Sequence, residues 1–185
     1  EIREIKLSRG GKELSIAEDA SGLLILPVDA PVGQNIRTYL DLNDRLLTLK
    51  LTPNRADCLS LTGIAREVSA LTSTPVHYPQ VAIATVETQA KREILLDAPE
   101  ACPLYCGRVV SNVAARASTP EWMKRRLERS GIRSISALVD ITNYVMLEMG
   151  QPLHAFDNAR LEGAIHARMA CPGEKILLLN EQTLE

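Results

Sequence analysis

The run of residues 132–157 constrains the fold of this chain more than any other part of its sequence. Residues 136–149 carry the apolar content of a packed helix, and Gly150 is a residue type that commonly ends one. Arg133 precedes this helix and a turn with Pro152 follows it, and a helix that only filled a core would need neither. The run is also dense in hydrogen-bonding side chains, namely Arg133, Asn143, Gln151, His154 and Asp157. It therefore predicts a buried helix beside a polar site.

Composition places the chain among ordinary soluble globular proteins. Its 185 residues are enough for one medium domain or two small ones, and 45% of them are apolar while 24% are charged. The net charge of −2 gives no overall positive field that would attract nucleic acid, although it does not exclude a local cationic patch. Recognition of a polyanion by total charge alone is therefore not expected.

Neither a membrane segment nor a metal site is predicted. No apolar run approaches the roughly 20 residues that span a bilayer, and the charged first residues lack a signal-peptide core, so we expect a cytoplasmic location and no membrane partner. Cys102 and Cys106 have the spacing of a zinc half-site, but no second pair accompanies them. We therefore expect reduced thiols.

Periodicity and turn residues divide the chain into four parts. Residues 1–44 read as strands and turns, 45–80 as a strand–helix unit, 81–92 as a linker, and 93–185 as an α+β unit. The chain opens without methionine and closes inside an apparent hairpin, so we interpret it as a piece of a longer polypeptide. Strands are predicted at 22–26, 47–51, 93–96 and 104–110, and a hairpin joins 164–170 to 175–180.

Three helices are predicted with their caps. Leucine, isoleucine and valine recur at helical spacing over residues 61–71, with Asp57 or Ser60 as the N-cap. The next helix has Thr119 as N-cap and Pro120 as its first residue, and it ends at residues 130–131. The last covers 136–149. Residues 54–57 can form a recognition loop, but turn and cap chemistry is the favoured interpretation.

Arg133, Asn143 and His154 are the candidate site residues. A guanidinium fits a phosphate or the ribose–phosphate end of an RNA, and an imidazole can position a hydroxyl or a water near neutral pH. Pro152 would make the turn before His154 rigid and so fix the direction from which His154 extends. The structural alternative is that His154 only makes a hydrogen bond within the fold, which is the commoner role of a histidine that follows a helix.

A cationic helix is the second candidate surface. Lys124, Arg125, Arg126 and Arg129 can meet phosphates. The favoured alternative is a solvated helix face, because acidic residues at 121 and 128 dilute the charge. The sequence holds no phosphate-binding glycine loop, serine-hydrolase elbow or zinc-protease motif, which argues against those three enzyme classes.

Two stretches resemble one known family, in the same order and at the same separation. Residues 51–71, LTPNRADCLSLTGIAREVSAL, resemble the segment of bacterial phenylalanyl-tRNA synthetase beta subunits that follows their tRNA-binding OB-fold insertion. Residues 119–157, TPEWMKRRLERSGIRSISALVDITNYVMLEMGQPLHAFD, resemble the first half of the editing domain. The resemblance implies an α+β chain composed of the end of an OB-fold-like region, a small helical unit and the front part of that editing domain.

The resemblance also implies a function. The family's enzyme is an alpha2–beta2 assembly that charges tRNA(Phe) using ATP and magnesium, and its beta subunit hydrolyses tyrosine wrongly attached to that tRNA. A pocket sized for phenylalanine excludes an added hydroxyl only weakly, so a second site corrects the error. No ATP or magnesium site can be assigned to this chain, and the isolated fragment is expected to be inactive. The alternative is a non-catalytic tRNA-binding or subunit-assembly module.

Residue roles follow by carrying the family motif onto this sequence. Arg133 is expected to position the tRNA 3′ end, and His154 to orient the substrate or a water. Asn143 and Gln151 are expected to support the pocket. The tRNA contacts would come from Lys124, Arg125 and Arg129. Residues that read the tyrosine hydroxyl are expected downstream of Glu185.

Overall fold

A computed structural model describes residues 4–6, 23–26, 28, 30–178 and 180–185. Within these ranges the helices are α1 Ile36–Tyr39, α2 Leu61–Thr72, α3 Glu121–Arg129 and α4 Ala137–Met149. The strands are β1 Glu4–Lys6, β2 Leu23–Ile25, β3 Ile94–Leu96, β4 Ile165–Ala167, β5 Ile176–Leu177 and β6 Thr183–Leu184. This mixture fits the predicted α+β class. About half of the predicted OB-fold-like region at 1–44 falls outside the described residues.

The chain forms two compact units, and each is assembled from two separate stretches. Unit 1 combines Glu1–Tyr78 with Ala115–His154, and unit 2 combines Pro79–Ala114 with Ala155–Glu185. The sequence pattern instead predicts consecutive domains, because it records local periodicity and not which stretches pack together. Among the described residues, no helix is long and apolar enough to cross a membrane.

Helix α2 of unit 1 confirms the helix predicted at 61–71. Ser60 is its N-cap, and the Ser60 Oγ accepts a hydrogen bond of 3.0 Å from the Gly63 N–H. The helix ends when Ser73 adopts a left-handed conformation with φ of 54°. Of the two predicted cap residues, Ser60 therefore has this role.

The turn before α2 is held by Arg55. Its guanidinium donates to Asp57 at 3.0 Å, to Glu67 at 2.6 Å and to the Cys58 Sγ at 2.9 Å. Hydrogen bonds from Arg55 lower the pKa of both Asp57 and Glu67. The structure thus gives residues 54–57 the turn role that the sequence favours, while the cap of α2 belongs to Ser60.

Helices α3 and α4 pack together, and α4 also packs against α2. The side chain of Leu127 is completely buried, and the Thr62 hydroxyl of α2 donates to the Glu148 carbonyl of α4 at 2.8 Å. Gly131 and Gly150 follow the ends of α3 and α4 with φ of 81° and 78°. Only glycine adopts such angles readily, so the predicted helix ends are confirmed.

The predicted start of α3 is wrong by one residue. Pro120 occupies the N-cap position with ψ of 136°, and the helix begins at Glu121. The Thr119 hydroxyl donates a hydrogen bond to the carboxylate of Asp140 and caps nothing. A buried carboxylate is a stronger acceptor than any local backbone group, and sequence spacing does not reveal it.

Unit 2 contains a parallel and an antiparallel strand pair. Strand β3 pairs parallel with β4, with Ile94 opposite Ile165, and β5 pairs antiparallel with β6. The Arg92 guanidinium fastens the segment before β4 by donating to the Asn158 side chain at 2.8 Å and to the Gly163 carbonyl at 2.7 Å. The strand predicted at 93–96 is confirmed.

Two predicted strands and the predicted hairpin are wrong. Residues 47–51 and 104–110 are irregular, and Leu47 and Leu104 are 83% and 76% exposed, because among the described residues neither stretch meets a partner strand. The turn at residues 172–173 joins no hairpin. It is closed by Glu174, which accepts from the Arg168 guanidinium at 2.5 Å and from the Cys171 N–H at 2.8 Å.

We expect Gly63→Ala to destabilise unit 1, although alanine is the better helix former. An added Cβ would lie 1.7 Å from the backbone oxygen of Asp57, which cannot move without breaking the capped turn. The loss should be about 3 kcal/mol in urea unfolding. Ala70→Gly on the same helix is the control, because it measures the effect of helix propensity alone, which is about 1 kcal/mol. A Gly63→Ala protein as stable as wild type would contradict the close approach.

Candidate functional site

The predicted site residues all lie in unit 1, on both sides of α4. Arg133 is exposed in the loop between α3 and α4. Asn143 is half-buried within α4, and Gln151 and His154 are exposed after its C-terminal end. Exposed side chains of this kind are accessible to a macromolecular ligand. Arg133 therefore lies before the N-terminal end of α4, whereas Gln151 and His154 follow its C-terminal end.

Asp140 lies in the first turn of α4 and is completely buried. Its Oδ2 accepts hydrogen bonds from the hydroxyls of Thr119 and Ser134, the latter at 2.6 Å, and its Oδ1 accepts from the Ile135 N–H at 2.9 Å. These donors come from the loops before α3 and before α4. One carboxylate thus joins both loops to the start of α4.

Hydrogen bonding outweighs burial in setting the charge state of Asp140. Burial raises the pKa of the Asp140 carboxyl, whereas the hydroxyls of Ser134 and Thr119 and the N–H groups of Ile135 and Ser136 lower it. The net pKa lies below the ordinary value of 3.8. The group is therefore ionised at neutral pH, and its donors among the described residues are hydroxyls and backbone N–H groups rather than a cation.

A shallow depression of about 320 Å³ adjoins the loops that Asp140 holds. Residues 115–119 and 134–136 form its walls, with Glu121 and Lys124 contributed by α3. Arg116 and Lys124 bring positive charge, Glu121 brings one negative charge, and serine hydroxyls supply hydrogen bonds. Such a lining suits an anionic group with polar neighbours. Arg133 is next in sequence to this wall, whereas Asn143, Gln151 and His154 are not among the lining residues.

The cations of α3 have different environments. The Arg129 side chain is only 11% exposed, and its guanidinium donates to the Asp44 carboxylate at 2.7 Å and to the Asp41 carbonyl at 2.6 Å. Arg126 donates to the Tyr144 hydroxyl at 2.8 Å. Arg129 therefore fastens α3 within unit 1. Its predicted tRNA contact stays a prediction, and a phosphate would have to compete with these acceptors.

Lys124 and Arg125 are the remaining predicted tRNA contacts. Lys124 lines the depression, and its Nζ lies 4.0 Å from Glu128, one helical turn away. An exposed pair of this kind is weak, so a phosphate can displace it. Arg125 is half-buried on the same helix. Across the part of the chain that the structure describes, no group of three or more His, Cys, Asp or Glu residues could hold a metal ion.

Sequence comparisons now identify the family. The B3/4 domain model matches residues 101–185. The chain is 72% identical over 173 residues to the phenylalanine–tRNA ligase beta subunit of Dechloromonas aromatica, covering 94% of this chain. Over equal lengths it is 61% and 58% identical to the beta subunits of Aromatoleum aromaticum and Neisseria meningitidis serogroup B, covering 94% and 93% of this chain. This chain belongs to the phenylalanine–tRNA ligase beta subunit family.

The match has a defined extent along both sequences. The chain spans 22% of the length of each of these three relatives. The B3/4 match includes every predicted site residue, because these lie between Lys124 and His154. The predicted family is confirmed. The predicted residue roles stay predictions.

Sequence reasoning missed Asp140 of the candidate site, together with its donors Thr119 and Ser134. The available signal was an acidic residue in the first turn of the helix, within an apolar stretch and flanked by Val139 and Ile141. Such an acid also favours the positive end of the helix dipole, so it resembles ordinary N-terminal charge. The donor in the loop before α3 could not be found from local spacing.

The lowered pKa of Asp140 predicts a loss of stability in acid. The ionised form is favoured in the folded state, so its contribution is fully present above 3.8, the ordinary value, and is lost as the pH falls through the lower folded pKa. Unfolding free energy measured against pH should fall less steeply below pH 3.8 for Asp140→Asn than for wild type. Glu162→Gln, which alters an exposed carboxylate, is the control, and parallel curves for Asp140→Asn and wild type would contradict the assignment.

Proposed function

We propose that this chain acts within a phenylalanine–tRNA ligase beta subunit in hydrolysing tyrosine wrongly attached to tRNA(Phe). The observation that carries the proposal is the position of Arg133, exposed beside a depression lined by cations and hydroxyls. The proposed substrate is a charged tRNA, and the proposed partner is the alpha subunit of an alpha2–beta2 assembly in the cytoplasm. The ligase as a whole would charge tRNA(Phe), and the isolated chain would be inactive.

The chemistry required is the hydrolysis of an ester between an amino acid and an RNA end. A guanidinium such as that of Arg133 binds a phosphate through fixed paired donors. The imidazole of His154 can position a water or a ribose hydroxyl near neutral pH. Asn143 and Gln151 would add hydrogen bonds that support the pocket. Orientation of the ester and water is the main contribution that such a site makes.

ATP and magnesium belong to the charging reaction of the whole enzyme. The depression offers a single carboxylate, that of Glu121, and magnesium is usually bound through carboxylates together with substrate phosphates. The depression therefore does not fit a magnesium–ATP site, and no step of the proposed hydrolysis uses magnesium or ATP. The charging chemistry would lie elsewhere in the ligase.

We expect Arg133→Ala and His154→Ala to lose hydrolysis of tyrosyl-tRNA(Phe) while phenylalanine charging is retained. Both variants would be made in the complete ligase, and hydrolysis should fall roughly 100-fold, the usual scale for removing a group that orients reactants. Arg108→Ala and His77→Ala are matched controls, since both residues are exposed and neither has an assigned role. Their hydrolysis should equal that of wild type.

Unchanged hydrolysis in Arg133→Ala and His154→Ala would overturn the editing proposal. The chain would then serve as a binding module, the second candidate function. The observation that favours this alternative is the cluster of cations on α3, of which Lys124 also lines the depression. A module of that kind would bind phosphates and perform no chemistry.

The binding module makes its own prediction. Lys124→Ala and Arg125→Ala should each weaken tRNA(Phe) binding and reduce the slope of log affinity against log salt by roughly one, since each removes one phosphate contact. Lys175→Ala is the control, because Lys175 pairs with Glu185 at 3.2 Å in the other compact unit. Equal salt slopes in all three variants would exclude α3 as the tRNA contact.

A further inference from the structure

We propose that Asp140 is a positioning residue for this hydrolysis, because it fixes the backbone that carries Arg133. The inference rests on the proposed function and adds to it a residue that contacts neither the substrate nor the water. Asp140 would act entirely through the loop between α3 and α4.

The hydrogen bonds of Asp140 converge on the residues that follow Arg133. Its carboxylate accepts from the Ser134 hydroxyl at 2.6 Å and from the Ile135 N–H at 2.9 Å, and its own N–H donates to the Ser136 carbonyl at 2.8 Å. Three successive residues of the loop are thus tied to one side chain and its backbone. Arg133 immediately precedes these three residues, so its backbone is fixed on its C-terminal side.

A second loop is bound to the same carboxylate. Thr119, from the loop before α3, donates its hydroxyl to Asp140 Oδ2, which also accepts from Ser134. Both donors line the depression beside Arg133. The shape of that depression and the direction from which Arg133 extends therefore depend on a single buried group.

Packing alone does not explain a charge at this position. The neighbouring α4 residues, Leu138, Val139 and Ile141, are apolar, and an apolar side chain could bury itself against α3 without the cost of desolvating a carboxylate. What the carboxylate adds is the ability to accept several donors at once from irregular segments. The carboxylate therefore fixes the backbone of two loops, and one of these loops carries Arg133.

Order in this loop matters because the Arg133 side chain is exposed. Packing does not hold an exposed guanidinium in place, so its reach depends on where its backbone lies. A displacement of about 1 Å at a reacting centre can slow a reaction roughly 100-fold. Functional side chains need such support from a surrounding shell of hydrogen bonds.

The test is a double-mutant cycle in the complete ligase, measured in single turnovers with excess enzyme so that slow variants remain measurable. Asp140→Asn should lower the rate of tyrosyl-tRNA(Phe) hydrolysis roughly 10- to 100-fold and leave phenylalanine charging unchanged. In an Arg133→Ala background the same substitution should change hydrolysis less than about twofold, since the residue through which it acts is absent.

Two further variants separate positioning from stability. Ser134→Ala removes one donor and keeps the carboxylate, so it should lower hydrolysis in the same direction by several-fold and lose that effect beside Arg133→Ala. Cys58→Ala alters a buried residue that contacts Arg55, away from the depression. It should lower the melting temperature without changing hydrolysis.

Every outcome decides between the two proposals. If Arg133→Ala and His154→Ala hydrolyse normally, the editing function itself fails. If those variants lose hydrolysis while Asp140→Asn matches wild type, or slows hydrolysis equally with and without Arg133, only the positioning role fails. Should Asp140→Asn not assemble, the Ser134→Ala and Arg133→Ala cycle gives the same decision.

Discussion

One buried carboxylate organises the part of unit 1 that the site occupies. Asp140 is ionised and completely enclosed, which is tolerable only because hydroxyls and N–H groups from two loops satisfy it. Without those donors the charge could not remain buried, and without the charge the loops would lack a common anchor. The start of α4, the approach to α3 and the wall of the depression therefore depend on the same set of hydrogen bonds.

The cationic helix shows why charge in a sequence differs from charge available for binding. The sequence does not distinguish the four cations of α3, but the structure does. The Arg129 guanidinium donates hydrogen bonds to Asp44 and to nearby carbonyls, and the Arg126 guanidinium lies 5.3 Å from the centre of the Trp122 ring. Burial holds the Arg129 side chain within the fold, whereas the Arg126 side chain is exposed and contacts an aromatic ring. The accessible positive charge on α3 is therefore smaller than the sequence implies, because Arg129 contributes little to it.

The sequence predicted what local geometry determines and missed what distant partners determine. Helices α2 and α4 were predictable because apolar spacing, the Ser60 cap and the terminal Gly150 are all encoded within a few residues. Strand pairing was not, since β4 takes β3 as its partner rather than the residues that follow it. Asp140 was missed for the same reason, because its Thr119 donor comes from a separate loop. Arg133 and His154 were predicted from their residue chemistry beside a helix and from a family motif, and their roles stay predictions.

The interleaving of the two units also sets an order of events during synthesis. All residues of unit 1 have been synthesised once His154 has been added. At that point β3 of unit 2 still lacks its partner strand β4, which lies further along the chain. A ribosome elongating from the N-terminus would thus release a segment, 79–114, that stays without its partner strand while the residues on both sides of it fold together. Residues 79–92 are almost devoid of regular structure, and such a stretch can stay solvated during the delay.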